Sequence, residues 1–313
     1  MTQHSSATRT GAGPLSRVGL LWGLAGVTAF SFTVPLTRIA VTGGLSPLFV
    51  GTGRAVLAAA LAATALAVTR QQLPRGGQWR RLVVVAAGVV IGFPVLTSYA
   101  LTTASAGHSA VVIALLPAAT AVVAVVRERQ RVRPMFWMVA AMGAVVAVGF
   151  AFLGTGTAAG LQWSDLLLLG AVVAAAVGYA EGGLLARELG AWQTVSWALV
   201  VSIPVTGVLA TVAWWKQPST AGAPEWASFA YLAVVSMYLG FFAWYRGLAI
   251  GPMSSVSQIQ LVQPVLTLCW AAIILREGLT WPVVGGGAAV IACATVAVRT
   301  RMSPTVRQEE YST

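Results

Sequence analysis

The chain has 313 residues, of which 58% are hydrophobic and only 9% charged, with a mean hydropathy of +0.81 and a formal net charge of +11. A soluble domain carries about 25% charged residues, so this composition excludes an ordinary water-soluble globular protein and points to an integral membrane protein. The positive charge is not a nucleic-acid footprint. Basic residues gather in short joints between apolar runs (Arg70, Arg75, Arg80 and Arg81; Arg127, Arg129, Arg131 and Arg133), and no continuous basic face with interleaved aromatics is present.

Residues 1–17 are polar and read as a disordered cytoplasmic tail. The apolar run that follows is too long for a signal-peptide core and is taken as a retained first span. A helix needs about 20 apolar residues to cross the hydrocarbon layer. Ten segments qualify, at about 18–40, 46–69, 82–104, 109–126, 135–154, 164–185, 193–215, 226–248, 255–275 and 282–299. Glycine and proline mark the joints, among them Gly43-Gly44, Pro74, Gly190, Gly251-Pro252 and Gly278. No apolar run alternates with period two, which argues against a barrel. The expected fold is an all-α membrane protein with ten transmembrane helices.

Basic residues set the expected orientation. With both termini cytoplasmic, fifteen of the nineteen Lys and Arg residues lie inside; only Arg38, Arg54, Lys216 and Arg276 fall toward the outside. This fits the cell (inner or plasma) membrane. The halves also match at one offset. Leu21 and Gly23 correspond to Leu168 and Gly170, Tyr99 to Tyr245, Pro117 to Pro264 and Pro134 to Pro282, all at shifts of 146 to 148. Five helices per half is an odd number, so the second half enters from the opposite side. The expectation is two inverted five-helix repeats, 18–154 and 164–299, with residues 300–313 as a cytoplasmic tail.

Several stretches resemble the EamA-type exporters of the drug/metabolite transporter superfamily. They are Leu21-Trp22-Gly23, the Pro47…Arg54 entry to the second span, Trp244-Tyr245-Arg246-Gly247-Leu248, Gln260-Leu261-Val262-Gln263-Pro264 and the Leu275–Pro282 joint with Glu277. In the first half Arg129-Gln130-Arg131 stands where that joint would put its glutamate. The resemblance covers residues 18–299. It implies a ten-helix bundle that exports amino acids or other small metabolites, with some members thought to exchange them for protons. An importer, a nucleotide-sugar carrier and a non-transporting structural or sensor protein are the alternatives.

The candidate pathway residues are polar or aromatic groups inside spans, where polar groups are costly and are paired or line a route. Glu181 is the one carboxylate well inside a predicted span, and Arg246 lies at a similar depth, so the two form a candidate pair. Arg54 sits about two turns into the second span. Gln260, Gln263 and Thr267 share one helical face, with Gln263 near the midplane; an amide offers donors and an acceptor to polar cargo. The bland reading of these amides is helix-to-helix glue. Tyr99, Tyr238, Trp244 and Tyr245 are candidate cavity walls, whereas most of the twelve tryptophans fall near span ends as an interfacial belt. Pro35, Pro94, Pro117 and Pro264 each remove a backbone donor within a span.

Cys269 and Cys293 read as small buried apolar residues, and His4 and His108 give no ligand pair, so no metal or other cofactor is expected. No GxxxxGK[ST], HExxH or GxSxG motif occurs, which argues against ATP drive and against an enzyme. The expected partners are a small-molecule substrate and the lipid bilayer; protons and a homodimer are left open.

Overall fold

The computed structural model describes residues 14–127, 129, 134–153, 162–250, 259–278 and 280–302. Among these residues every regular element is helical. In chain order the helical stretches are α1 (Pro14–Ser31, continued by Thr33–Thr42), α2 (Pro47–Val68), α3 (Gln78–Ala100), α4 (Ala106–Arg127) and α5 (Pro134–Leu153), then α6 (Trp163–Leu189), α7 (Ala191–Lys216), α8 (Ala223–Gly247), α9 (Gln260–Ile274) and α10 (Trp281–Met302). Seven of them, α1–α4 and α6–α8, are long and apolar enough to cross a membrane. The apolar parts of α5, α9 and α10 are shorter over the described residues (Pro134–Val146, Gln260–Ile274 and Trp281–Val296). The protein is therefore a multi-pass membrane protein.

The boundaries differ modestly from those read in the sequence. Helix α1 already begins at Pro14 and α10 runs to Met302, so the helices reach into both expected tails. Residues 1–13, the 251–258 joint with Gly251-Pro252, and Gln130, Arg131 and Arg133 lie outside the described residues. Large apolar side chains stand exposed along several helices, for example Met138, Val145, Val173, Val208 and Ile273. Water would penalise such a surface and lipid does not.

Proline and its local consequences shape the helices. Helix α1 is interrupted at Phe32, three residues before Pro35. Helix α4 is broken between Ile113 and Leu116, just before Pro117, and α9 starts as a tight 3₁₀ turn over Gln260–Val262, just before Pro264. Helix α3 widens to π geometry over Ala86–Gly92, ahead of Pro94, and α8 does the same over Leu232–Gly240 without a proline. Missing donors and inserted residues are the ordinary causes of such breaks.

These irregularities recur at the same offset as the matched residues of the two halves. Leu116–Arg127 in α4 and Gln263–Ile274 in α9 are both 12-residue helices, 147 positions apart. The two π stretches begin 146 positions apart. The packing follows the same rule. Helix α1 lies against α8 as α3 lies against α6, and α1 touches α9 as α6 touches α4. The pairs α2–α7, α4–α9 and α5–α10 each join equivalent helices.

The equivalent helices α2 and α7 run antiparallel. Phe49 near the start of α2 meets Trp214 near the end of α7, with ring centroids 5.4 Å apart. At the other end, Gln193 in the first turn of α7 donates to Gln71, just past α2, at 3.3 Å. Close approach of α1 to α8 and of α3 to α6 uses glycine. A Cβ on Gly26 would lie 2.8 Å from the Trp244 amide nitrogen, and one on Gly88 would lie 2.4 Å from the Ala174 carbonyl oxygen. Backbone cannot yield as a flexible side chain can. Gly26→Val is therefore expected to destabilise the protein by about 1–3 kcal/mol, read as a lower melting temperature in detergent; an unchanged melt would contradict the α1–α8 contact.

Candidate functional site

The two proline-broken helices meet at a small cavity. Ala110, Ile113, Leu116 and Pro117 of α4, Gln260, Gln263, Pro264 and Thr267 of α9, and Val34 of α1 line it. Its volume is about 20 Å³, room for one water molecule. Pro117 and Pro264, equivalent in the two halves, thus face one void, and the three polar residues expected to share a face of α9 all reach it. The polar lining comes from the second half; the first half supplies only apolar side chains.

One side of this site was not legible as a site in the sequence. Pro35 has no amide hydrogen, so the carbonyl of Ser31, four residues earlier, loses its helical donor. The Thr267 hydroxyl of α9 takes that place and donates to the Ser31 carbonyl at 3.0 Å, while also lying 3.0 Å from the Gln263 carbonyl. Trp270, one turn further along α9, donates its indole N–H to the Ser31 hydroxyl at 2.9 Å and stacks on Phe32, with centroids 4.4 Å apart. Thr33 shares a 2.7 Å hydrogen bond with Ser236 in the π stretch of α8. The available signal was the spacing of Ser31 and Pro35; nothing in the sequence named Thr267 and Trp270 as the partners.

Arg54 is 1% exposed, and its Nε has no hydrogen-bond partner among the described residues. It falls between Val50, in the core cluster that includes Leu101 and Val112, and Ala55, in the cluster that includes Val85 and Leu199. It is absent from the lining of the central cavity. Trp244 and Tyr245 are buried, and the Tyr245 hydroxyl is unpartnered among the described residues. Tyr245 lines a second void of about 10 Å³ with Val85, Met237 and Phe241. Tyr238 packs half-buried on the same core cluster. Tyr99 does not join these residues: it is 42% exposed near the end of α3.

The expected Glu181–Arg246 pair does not form. Arg246 is exposed, and its guanidinium lies 5.7 Å from the ring centroid of Trp22, a cation–π contact. Glu181, on buried ground in α6, instead accepts from Arg81 of α3 and from Arg127 of α4, the Arg127 Nε at 2.8 Å. Arg81 also reaches Glu188, one further pair of turns along α6. Depth along the bilayer was the basis for expecting Arg246; the azimuth of each side chain about its helix decides the pairing. One carboxylate therefore ties α3, α4 and α6 together at one end of the bundle.

The opposite end is closed by different chemistry. Glu277, just past α9, accepts from the Ala106 and Gly107 amides at 2.9 and 2.8 Å. These are free donors at the start of α4, and a carboxylate there is also favoured by the helix dipole. His108 Nε2 lies 2.6 Å from Asp165 Oδ1, and Asp165 also accepts from the Gln162 amide at 2.9 Å, capping α6. Arg38 of α1 donates to the Leu101 carbonyl. The glutamate of the 275–282 joint is thus a cap that crosses from one half to the other. Among the described residues no group of three metal-binding side chains lies together, and both cysteines are free.

Comparison with known proteins matches this architecture. The EamA-like transporter family matches residues 17–153 and again residues 162–299. The chain belongs to the EamA-like transporter family. A relative from Bacillus subtilis (strain 168), named "Uncharacterized transporter YdeK", is 43% identical over 281 residues, covering 90% of this chain and 97% of that protein. A solved structure described as "Crystal structure of protein" aligns with a TM-score of 0.62 at 18% identity, over 89% of this chain and 97% of its own; that likeness speaks for the fold. In this EamA-family chain both copies of the family unit contribute a broken helix to one cavity.

Two outcomes test the geometry. Thr267→Val keeps the shape but leaves the Ser31 carbonyl without its donor. It is expected to cost about 1–2 kcal/mol, measured by thermal unfolding in detergent, with Thr267→Ser retaining most of the stability. Glu181→Gln is expected to cost about 1–3 kcal/mol, below a fully buried pair because Arg127 is 53% exposed at its side chain. A double-mutant cycle should find coupling of Glu181 with Arg127 and none with Arg246.

Proposed function

We propose that this transporter carries small metabolites or amino acids out of the cell by alternating access, along a route through the α4–α9 cavity. The single observation that carries this reading is the shared void at Pro117 and Pro264, where a break in each half meets beside the Gln260 and Gln263 side chains. Broken helices at the junction of two repeats are a recurrent way to build a membrane-embedded site. The void fits one water, so the described conformation is read as shut, with cargo admitted when one half moves against the other.

The proposal takes ten crossing helices in two inverted repeats, 18–154 and 164–299, with both termini cytoplasmic in the cell membrane. The antiparallel α2–α7 pair, the repeated irregularities and the distribution of arginines support it. Gln260 and Gln263 are assigned to cargo contact. Arg54, a buried cation whose Nε is unpartnered among the described residues, and the buried Trp244 and Tyr245 are assigned to the walls the moving half would uncover. Glu181, held by Arg81 and Arg127, is assigned as a latch at the cytoplasmic end rather than as a proton carrier.

Efflux of labelled amino acids and other metabolites from proteoliposomes, with and without a pH gradient, tests the reading. Gln263→Leu is expected to lower flux about tenfold, the loss of one good hydrogen bond, at an unchanged melting temperature. Absence of flux for every compound class would overturn transport by this route. Wild-type flux in Gln263→Leu would remove the cavity from the pathway. The pH-gradient arm reads coupling to protons.

A further inference from the structure

A second recess opens on the flank of the bundle, away from the central cavity. It has a volume of about 370 Å³ and lies between α3, α4 and α6. Arg80, Arg81, Arg127 and Glu181 line one part of it, and Val84 and Val177 line the part further from the helix ends. Three arginines and one carboxylate line it; both oxygens of that carboxylate are taken by Arg81 and Arg127, and Arg81 also reaches Glu188. The side chain of Arg80 makes no hydrogen bond or ion pair among the described residues. Arg80 lies in the first turn of α3 and Arg127 is the last residue of α4, so both stand at one end of the bundle. Val84 and Val177 are 39% and 37% exposed and lie further along their helices from that end.

We propose that this recess binds an anionic phospholipid of the surrounding leaflet, its phosphate on Arg80 and Arg127 and the start of an acyl chain along Val84 and Val177. Basic pockets between membrane helices suit such headgroups. Arg81 and Arg127 are matched by Glu181 and Glu188, and the surplus charge of Arg80 calls for an anion. The apolar wall calls for a ligand with a hydrocarbon part, which a soluble phosphate lacks. A zwitterionic lipid brings an ammonium group, and among the described residues the one carboxylate lining the recess is already engaged. The proposal rests on the chain lying in a bilayer and goes beyond the transport reading, so it survives or fails independently of any flux measurement.

Purified full-length protein in detergent, titrated with phosphatidylglycerol, phosphatidylcholine or glycerol 3-phosphate, provides the test. Retained lipid is counted by native mass spectrometry. Phosphatidylglycerol should be retained in preference to phosphatidylcholine. Arg80→Gln should weaken its retention about fivefold, the share of one surface arginine, at an unchanged melting temperature in lipid-free detergent. Lys216→Gln, at the opposite end of the bundle, should leave retention as it is. Equal retention of the two lipids, wild-type retention in Arg80→Gln, an equal loss in Lys216→Gln, or displacement of the lipid by glycerol 3-phosphate would each overturn the assignment.

Discussion

A carbonyl group in hydrocarbon has no water to turn to, and this protein is built around the carbonyls its prolines release. In a lipid-embedded helix each backbone polar group needs a partner from the protein. Pro35 deprives the Ser31 carbonyl of its donor, and Thr267 from another helix supplies a new one. That bond joins the first helix of one half to the fourth helix of the other. Just ahead of Pro264 the same helix opens with a 3₁₀ turn, where the Gln263 amide donates to the Gln260 carbonyl. The helix that repairs the break in α1 is itself broken, and the polar side chains that line the cavity come from it. The repair of the backbone and the polarity of the cavity therefore have one source.

The two ends of the bundle are tied by unlike devices. At one end Glu181 draws in guanidiniums from α3 and α4, an arrangement held by side-chain charge. At the other, Glu277 caps the amides that open α4, an arrangement between a side chain and backbone. Helix α4 is engaged in both, through Arg127 at its end and Ala106 at its start. Between those two ties α4 carries its own break at Ala114 and Leu115. The two halves repeat the same helices and breaks, but the residues at equivalent positions differ. The resulting polar asymmetry places the amides in the second half and the apolar lining in the first.

Much of this could be read in the sequence, because the bilayer reduces folding to a few strong rules. Apolar length places the helices, and arginine distribution gives an expected orientation. The recurrence of Pro117 at Pro264 foretold a pair of equivalent breaks, and the three-and-four spacing of Gln260, Gln263 and Thr267 foretold a shared face. Where the expectation failed, it failed in one coordinate. Glu181 and Arg246 were expected to pair from their places along their spans, but their helices turn those side chains in different directions, Arg246 toward Trp22 and Glu181 toward Arg81 and Arg127. Tyr99 likewise lies in an apolar span yet faces outward.

Periodicity, charge and proline spacing, then, were enough to determine a multi-pass helical membrane protein, its internal repeat, its broken helices and the polar face of α9. All are properties of single segments or of the chain against the bilayer, and one dimension carries them. The tertiary structure alone decided which groups meet: Thr267 with the Ser31 carbonyl, Trp270 with Phe32, Glu277 with the start of α4, and Glu181 with two arginines rather than with Arg246. Those contacts depend on how each helix is rotated about its own axis. That rotation is set by the close packing of all its neighbours at once, such as Gly26 against Trp244 and Gly88 against Ala174, which no single segment encodes.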